Sequence, residues 1–330
     1  MSAKTAQTAA FVYTRYGDAD VLQRHESPLR SPGPSEVAVE VVTSGINHME
    51  VFLRNGNEPS WQDDPWPRRS GSDFAGIVRA CGPGVEAFRP GQDVIGHVRT
   101  GAHATHVVVD QAALVRKPKN VSWEMAGGMY LAGCTALDTL DELRIGSDDT
   151  VVISAAAGGV GSIEAQLAKH AGARVIGTCG ERNFDYLRQL GIIPVKYGEG
   201  LAERIDRVAH GRVTAFIDNF GKDGSDTAER LGVPADRYRS STDRRDVELR
   251  LLADDADSVA HGTSQLERLA RLAEQRAFVL LISGLYALGD IVEAYEDLSR
   301  LHARGKIILA THPVSPYRVL KARDIHEAMA

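Results

Sequence analysis

The chain is expected to be a two-part α/β protein, a β-rich unit followed by a doubly wound parallel sheet, and two patterns carry that expectation. From residue 11 to about 120, short β-like runs ("EVAVEVVTSGI", "DFAGIVRACG", "DVIGHV", "THVVVD") alternate with Gly and Pro turns. That is the signature of an irregular all-β unit. From about Ser122 apolar strands alternate with helical periodicity: "TVVISAA" leads to "VGSIEAQLAKHAG", "ARVIGTC" to "NFDYLRQLG", and "TAFIDNF" to "GSDTAERLG". Such alternation predicts parallel strands with helices on both faces. After about His261 a helical "SQLERLARLAEQ" precedes "AFVLLISGLY", the amphipathic "LGDIVEAYEDLSRLHARG" and a closing strand "KIILAT".

Composition narrows the function classes. With 330 residues, 43% hydrophobic and 25% charged, the chain has material for two ordinary cores. A net charge of -6 argues against a nucleic-acid partner, which needs a basic face. The Arg-rich "DRRDVELR" from Asp243 is interleaved with acids and reads as solvated helix surface. No run approaches the roughly 20 apolar residues of a membrane span, and the first residues lack an apolar signal core. A cytoplasmic protein with no membrane partner is expected. Cys81, Cys134 and Cys179 are odd in number and far apart, which suits a reducing compartment and excludes a disulfide framework or a cysteine zinc cluster.

The most informative stretch is "VVISAAAGGVGS", Val151 to Ser162. A dinucleotide-binding turn reads G-x-G-x-x-G between a strand and a helix. Here Ala156 replaces the first glycine, while Gly158 and Gly161 stand, and a second strand follows about 20 residues on. Gly158 lets backbone approach a pyrophosphate, Gly161 lets helix and strand pack closely, and Ala156 is small enough to keep the turn. Phosphate oxygens then meet free N–H groups at the helix N-terminus. The end of the second strand selects the cofactor. An NAD site places Asp or Glu there, but "ARVIGTCGERNF" offers Cys179, with Arg182 three residues on and Tyr197 on the next strand to pair with a 2′-phosphate. NADPH is therefore expected. Glu181 dissents, and Arg182 taken alone also reads as a surface arginine.

The ordered set "GSDFAGIVRACGPGVEAFRPGQDVIG", "LAGCTALDTL", "VVISAAAGGVGS" and "GKIIL" resembles the medium-chain dehydrogenase/reductase superfamily over nearly the whole chain. More narrowly, it resembles the zinc-independent quinone-oxidoreductase and zeta-crystallin-like branch with its enoyl-reductase relatives. The resemblance implies a GroES-like catalytic domain at 1–122, a Rossmann domain at 123–262, and a segment at 263–330 that returns to the catalytic domain, with the cofactor in the cleft. Zinc-dependent members carry ligands where this chain has Asn47, Ser72 and Asp73, residues that cannot supply a tetrahedral zinc site, so no metal is expected. His103 and His106, read as one β-like run, would face opposite ways; with His48 and His97 they read as surface or core histidines.

Hydride delivery to an already electrophilic carbon is the chemistry left without a metal, and quinones and enones qualify. By resemblance Asn47 lies beside the nicotinamide ribose and substrate, and Thr135 contacts the cofactor. Each has a structural alternative, Asn47 as a turn residue and Thr135 as a hydroxyl bonded to its own helix. The expected site is Asn47 and Thr135 for catalysis, with Ala156, Gly158, Gly159, Val160, Gly161, Arg182, Tyr197 and Asn219 on the cofactor. Where many relatives have a tyrosine after the asparagine, this chain has Phe52, so no proton donor is identified, and Lys222 alters the wall after "TAFIDNFG". The loop Asn55 to Arg69 is either a packed Ω-type loop or a substrate lid. An NADPH-dependent quinone or enone reductase, a homodimer by resemblance, is expected. Its alternatives are a carbonyl or alcohol dehydrogenase and a non-catalytic NADPH-binding sensor.

Overall fold

The computed structural model describes residues 7–222, 224–300 and 304–314. The first part holds β1 (Gln7–Tyr13), β2 (Gln23–Pro28), β3 (Glu36–Gly45), α1 (His48–Arg54), β4 (Arg68–Arg69), β5 (Asp73–Cys81), β6 (Asp93–His97), β7 (His106–Asp110) and β8 (Leu114–Arg116). Next come α2 (Trp123–Gly127), α3 (Tyr130–Glu142), β9 (Thr150–Ile153), α4 (Gly159–His170), β10 (Arg174–Cys179), α5 (Phe184–Gln189), β11 (Ile193–Lys196), α6 (Leu201–Ala209) and β12 (Ala215–Ile217). The chain continues through α7 (Gly224–Arg230), β13 (Tyr238–Arg239), α8 (Ser241–Leu251), α9 (Ala256–Glu274), β14 (Ile282–Ala287), α10 (Ile291–Arg300) and β15 (Lys306–Ala310). No helix among the described residues is long and apolar enough to cross a membrane.

Strand β3 shows why the first unit is a sheet. Its "EVAVEVV" alternation turns Val37, Val39 and Val41 fully inward, and both edges pair, with β5 and β7. In the second unit β9, β10, β11, β12 and β13 form one parallel sheet in the order β11-β10-β9-β12-β13. The order reverses at β9, so the crevice above its C-terminal end is the topological switch point where ligands bind in such sheets. Helix α9 runs unbroken through residue 262, and the return begins beyond it: β14 pairs with β15, which pairs antiparallel with β3. A parallel bridge between Gly158 and Gly305 fastens the returning chain to the glycine turn. The two units therefore meet where β9 ends.

Two sequence expectations change. His103 precedes β7 instead of lying in it, so it does not alternate with His106 on one strand. The α8 arginines are not purely solvated. Arg244 and Arg245 are half-buried, and the guanidinium of Arg245 lies 4.6 Å above the Phe52 ring. A mixed-charge run has no apolar stripe that marks its inner face, so only packing of α8 across α3 assigns one.

Candidate active site

The glycine turn is built by local sterics. Ala155 takes a left-handed φ of 49°, and the turn closes with Gly158 N–H donating to the Ala155 carbonyl at 2.8 Å. A Cβ on Gly161 would sit 2.5 Å from that same oxygen and 3.2 Å from Ala156 Cα, so only glycine lets α4 approach β9 this closely. At Gly158 an added Cβ would meet nothing but the Ala155 oxygen, at 3.2 Å, so the space above the turn is open. Gly158 caps α4 without a side-chain hydrogen bond, and the N–H groups of Gly159, Val160 and Gly161 fall in the first turn, where no intrahelical acceptor exists. An open cradle at the first turn of a helix fits a diphosphate.

The catalytic-domain wall faces this turn. Asn47 is the N-cap of α1, and Glu50 completes the cap by accepting from the Asn47 backbone N–H at 2.8 Å. Asn47 is thus a turn residue, and its amide is also engaged. Nδ2 reaches Glu50 Oε1 at 3.3 Å and Ser72 Oγ at 3.5 Å, while Oδ1 accepts from the ammonium of Lys306, which also donates to the Ile46 carbonyl at 2.9 Å. Lys306 is 5% exposed and runs past Gly159, whose added Cβ would lie 3.2 Å from Lys306 Cδ. One buried lysine therefore spans from the glycine turn to Asn47.

Around that ammonium the residues at the three would-be ligand positions gather. Ser72 Oγ donates to Asp73 Oδ1 at 2.8 Å, and Asn47 is beside them. Burial pushes the Asp73 carboxyl up to about 6, with Lys306 opposing and Glu50 adding to the rise. Among the described residues no group of three or more His, Cys, Asp and Glu could hold a metal. Lys306 contributes a buried positive charge to this wall. Behind it Tyr295 donates to Glu50 at 2.6 Å, and fully buried His103 bonds Ser70 and the Gly45 carbonyl. His97 contacts Thr263 at 2.8 Å. Those two histidines are core. His48 is different: the residue is exposed at the surface, yet protein crowds its imidazole, and burial with Arg244 and Lys306 nearby lowers it to about 4.

Thr135 makes the helix back-bond given above as its structural alternative. It is fully buried, and its hydroxyl donates to the Leu131 carbonyl at 2.7 Å, a back-bond within α3 that leaves no proton for a cofactor. Asn219 follows β12 and is buried, with its Nδ2 contacting the Ser154 carbonyl and Glu164 on α4. At the far end, Glu181 turns to Lys196 at 3.1 Å, and Arg304 donates to Asn183 and to the Arg182 carbonyl. Burial raises the Cys179 thiol to about 11, so β10 ends without negative charge.

The loop between α1 and β4 leans on the same side. Trp61 lies under the Arg99 guanidinium at 4.1 Å, and Arg99 pairs with Asp64 at 2.9 Å. Trp61 and Arg99, with Ser72, Glu50, Arg69 and Leu252, line a small pocket. A larger groove, about 530 Å³ between β8 and α9, contains none of these residues. Lys306, Glu50 and Glu164 escaped sequence reasoning; the closing "GKIIL" run held the one visible signal, for the lysine.

Glu164 makes a testable pH effect. Burial is the main cause that raises its carboxyl to about 7, against the Asn219 hydrogen bond and Arg244, which lower it. Its folded value thus exceeds an unfolded value of about 4.3. Stability from this group is complete below the unfolded value and is lost as pH rises through about 7. Thermal unfolding of the wild type should fall between pH 5 and 8, and Glu164→Gln should flatten that fall by a few degrees, on the order expected for a buried group. Identical slopes would contradict the assignment.

This pairing of a β-rich domain with a parallel dinucleotide-type domain, joined at a glycine turn, defines a medium-chain dehydrogenase/reductase. Residues 33–119 match the alcohol dehydrogenase GroES-like domain. The chain is 30% identical over 325 residues to the quinone oxidoreductase of Salmonella typhimurium, covering 90% of this chain and 98% of that one. It is 32% identical over 320 residues to the pikromycin polyketide synthase component PikAII of Streptomyces venezuelae, covering 93% of this chain and 8% of that protein. Escherichia coli quinone oxidoreductase complexed with NADPH superposes with a TM-score of 0.77 at 22% identity, over 92% of this chain and 100% of that one. The chain belongs to the zinc-independent quinone-oxidoreductase branch of that superfamily and is an oxidoreductase that uses a nicotinamide cofactor.

Proposed function

We propose that the protein transfers hydride from NADPH to a quinone or an α,β-unsaturated carbonyl. The observation that carries this reading is the Lys306 ammonium, buried between the glycine turn and Asn47. When bound, the reduced nicotinamide supplies the hydride. The first-turn N–H groups of Gly159, Val160 and Gly161 hold the diphosphate, with Ala156 and Gly158 shaping the turn and Asn219 bordering it. Lys306 places positive charge on the wall where negative charge develops on the acceptor oxygen, and Asn47 holds the ammonium in place. Fixed charge in a dry cleft stabilises that development more than it stabilises the ground state. Thr135 acts here by bracing α3, and Trp61 with Arg99 borders the acceptor's entrance.

Assays of NADPH oxidation test the reading. An enone or quinone should react far faster than a saturated ketone of similar size, because conjugation must carry the incoming charge. Equal rates would favour a carbonyl dehydrogenase, and no turnover with either would favour a sensor. The preference for NADPH rests on Arg182, Tyr197 and the Glu181–Lys196 pair, which turns the one dissenting carboxylate aside; the NADPH named in the solved Escherichia coli relative supports it. Arg182→Ala should weaken NADPH by about 1.5 to 3 kcal/mol, the range for a hydrogen bond to a charged group, and leave NADH nearly unchanged. Equal loss for both would remove Arg182 from the phosphate site. A homodimer in a reducing cytoplasm belongs to the same proposal, and the three free thiols suit it.

A further inference from the structure

Strand β4 contributes two adjacent arginines whose surroundings differ. Arg68 is 6% exposed and fully engaged: it donates to the carbonyls of Gln62 and Asp64 and to the Tyr16 hydroxyl, and its guanidinium lies 4.2 Å from the Trp66 ring. Arg69, on the opposite face of the strand, is exposed, and among the described residues no carboxylate pairs with it. It is nevertheless fixed in place. The Thr100 hydroxyl donates to its carbonyl at 2.5 Å, and its stem crosses Gly101, where an added Cβ would come 3.2 Å from Arg69 Cδ. Gly101 has φ of 111°, a conformation other residues rarely adopt.

This arginine stands at the mouth of the small pocket described above. Its neighbour on the rim is Arg99, held by Asp64 and by the Trp61 ring. Of the described residues that line the pocket Glu50 alone is acidic, and its oxygens already accept from Asn47, Ser72 and Tyr295. The rim is therefore positive in a chain whose net charge is -6. At the inner end Ser72 Oγ lies 3.5 Å from Asn47 Nδ2, and Asn47 holds Lys306. Arg69 and Ser72 are three residues apart, so at most about 10 Å of backbone separates the rim from the inner end. One small molecule can touch both.

We infer that Arg69 is a specificity determinant for the acceptor, and that the preferred acceptors are α,β-unsaturated carbonyls carrying a carboxylate at the end remote from the reacting bond. This rests on the hydride-transfer reading above. A guanidinium presents a planar fork of donors that matches the two oxygens of a carboxylate. The Arg69 fork is set in position before the acceptor arrives, so little order must be gained on binding. Arg99, kept by Asp64, adds a second positive charge beside it. The carboxylate stays at the wet rim, while the conjugated end lies beside Asn47 and Lys306. Anchoring at the rim acts on ground state and transition state alike, so it lowers KM and leaves kcat to the inner end.

An enone acid and its methyl ester test the inference through the ratio of their kcat/KM values with NADPH. The wild type should favour the acid by about threefold to tenfold, the range for a charge-assisted pair partly exposed to solvent, and the difference should lie in KM. Arg69→Gln should bring the ratio to about one, Arg69→Lys should keep part of it, and high salt should shrink it in the wild type. The ester is the internal reference, because general damage to the cleft lowers both acceptors and leaves their ratio where it was. A wild-type ratio near one, or a ratio that survives in Arg69→Gln, would overturn the inference, while turnover of the ester keeps the hydride-transfer reading intact. A wild type that reduced neither acceptor would overturn that reading, and this inference with it.

Discussion

Gly161→Val is expected to abolish dinucleotide binding and to destabilise the fold, by about 3 kcal/mol or more on the scale of severe overpacking. The first atom of any side chain at this position would fall 2.5 Å from the Ala155 oxygen and 3.0 Å from its carbonyl carbon. Both belong to backbone, so no rotamer relieves the contact. Helix α4 must move off β9, which carries its first-turn N–H groups out of the crevice. Gly158→Val provides the contrast. Its Cβ meets a single atom at 3.2 Å, and Gly158 has φ of -81°, so valine there should fold but fill the space a diphosphate needs. Thermal unfolding and NADPH titration together separate the two variants: binding is lost in both, stability chiefly in Gly161→Val. Micromolar NADPH binding by Gly158→Val would refute the turn as the phosphate site.

Lys306→Met is expected to lower turnover of an enone by about a hundredfold or more, the cost of removing one preorganised donor from a reacting centre. Methionine keeps much of the length but deletes the charge and both hydrogen bonds. Asn47 Oδ1 then loses its lysine donor in a buried site, a cost of about 1 to 3 kcal/mol. Asp73 loses the ammonium that opposes its desolvation, so its carboxyl should rise beyond about 6. Because that folded value already exceeds the unfolded one, the Asp73 contribution to stability is present at low pH and is lost as pH rises through it; in the variant the loss should move to higher pH. A purely structural lysine would depress all acceptors alike. A charge-stabilising one should cost an enone more than a quinone, whose own conjugation carries more of the charge. Full turnover of the enone by Lys306→Met would dismiss the role.

Part of the site was legible because its signals are local. The glycine turn depends on residues within a dozen positions, and strand, small residues and helix appear there in the order the geometry requires. Cys179 at the end of β10 was equally readable, since strand end and residue type coincide. Asn47 was found only as a position, by resemblance; that its amide is bonded to Lys306, 259 residues on, has no local trace. Thr135 was likewise picked from its motif, and only the folded helix shows that its hydroxyl donates to the Leu131 carbonyl. The α8 arginines were misjudged because a helix of mixed charge does not announce which side it buries.

Periodicity, turn residues and the missing carboxylate are properties of neighbours along the chain, and they suffice for the fold class and for the expectation of a dinucleotide turn and its cofactor. Contacts between residues far apart in sequence were decided by packing alone. The return of β14 and β15 to the sheet of β3 sets Lys306 against Asn47, and the approach of Gly101 to β4 fixes Arg69 at the pocket mouth. A buried charge and an exposed one take their meaning from what surrounds them, and those surroundings exist only once the chain has closed on itself.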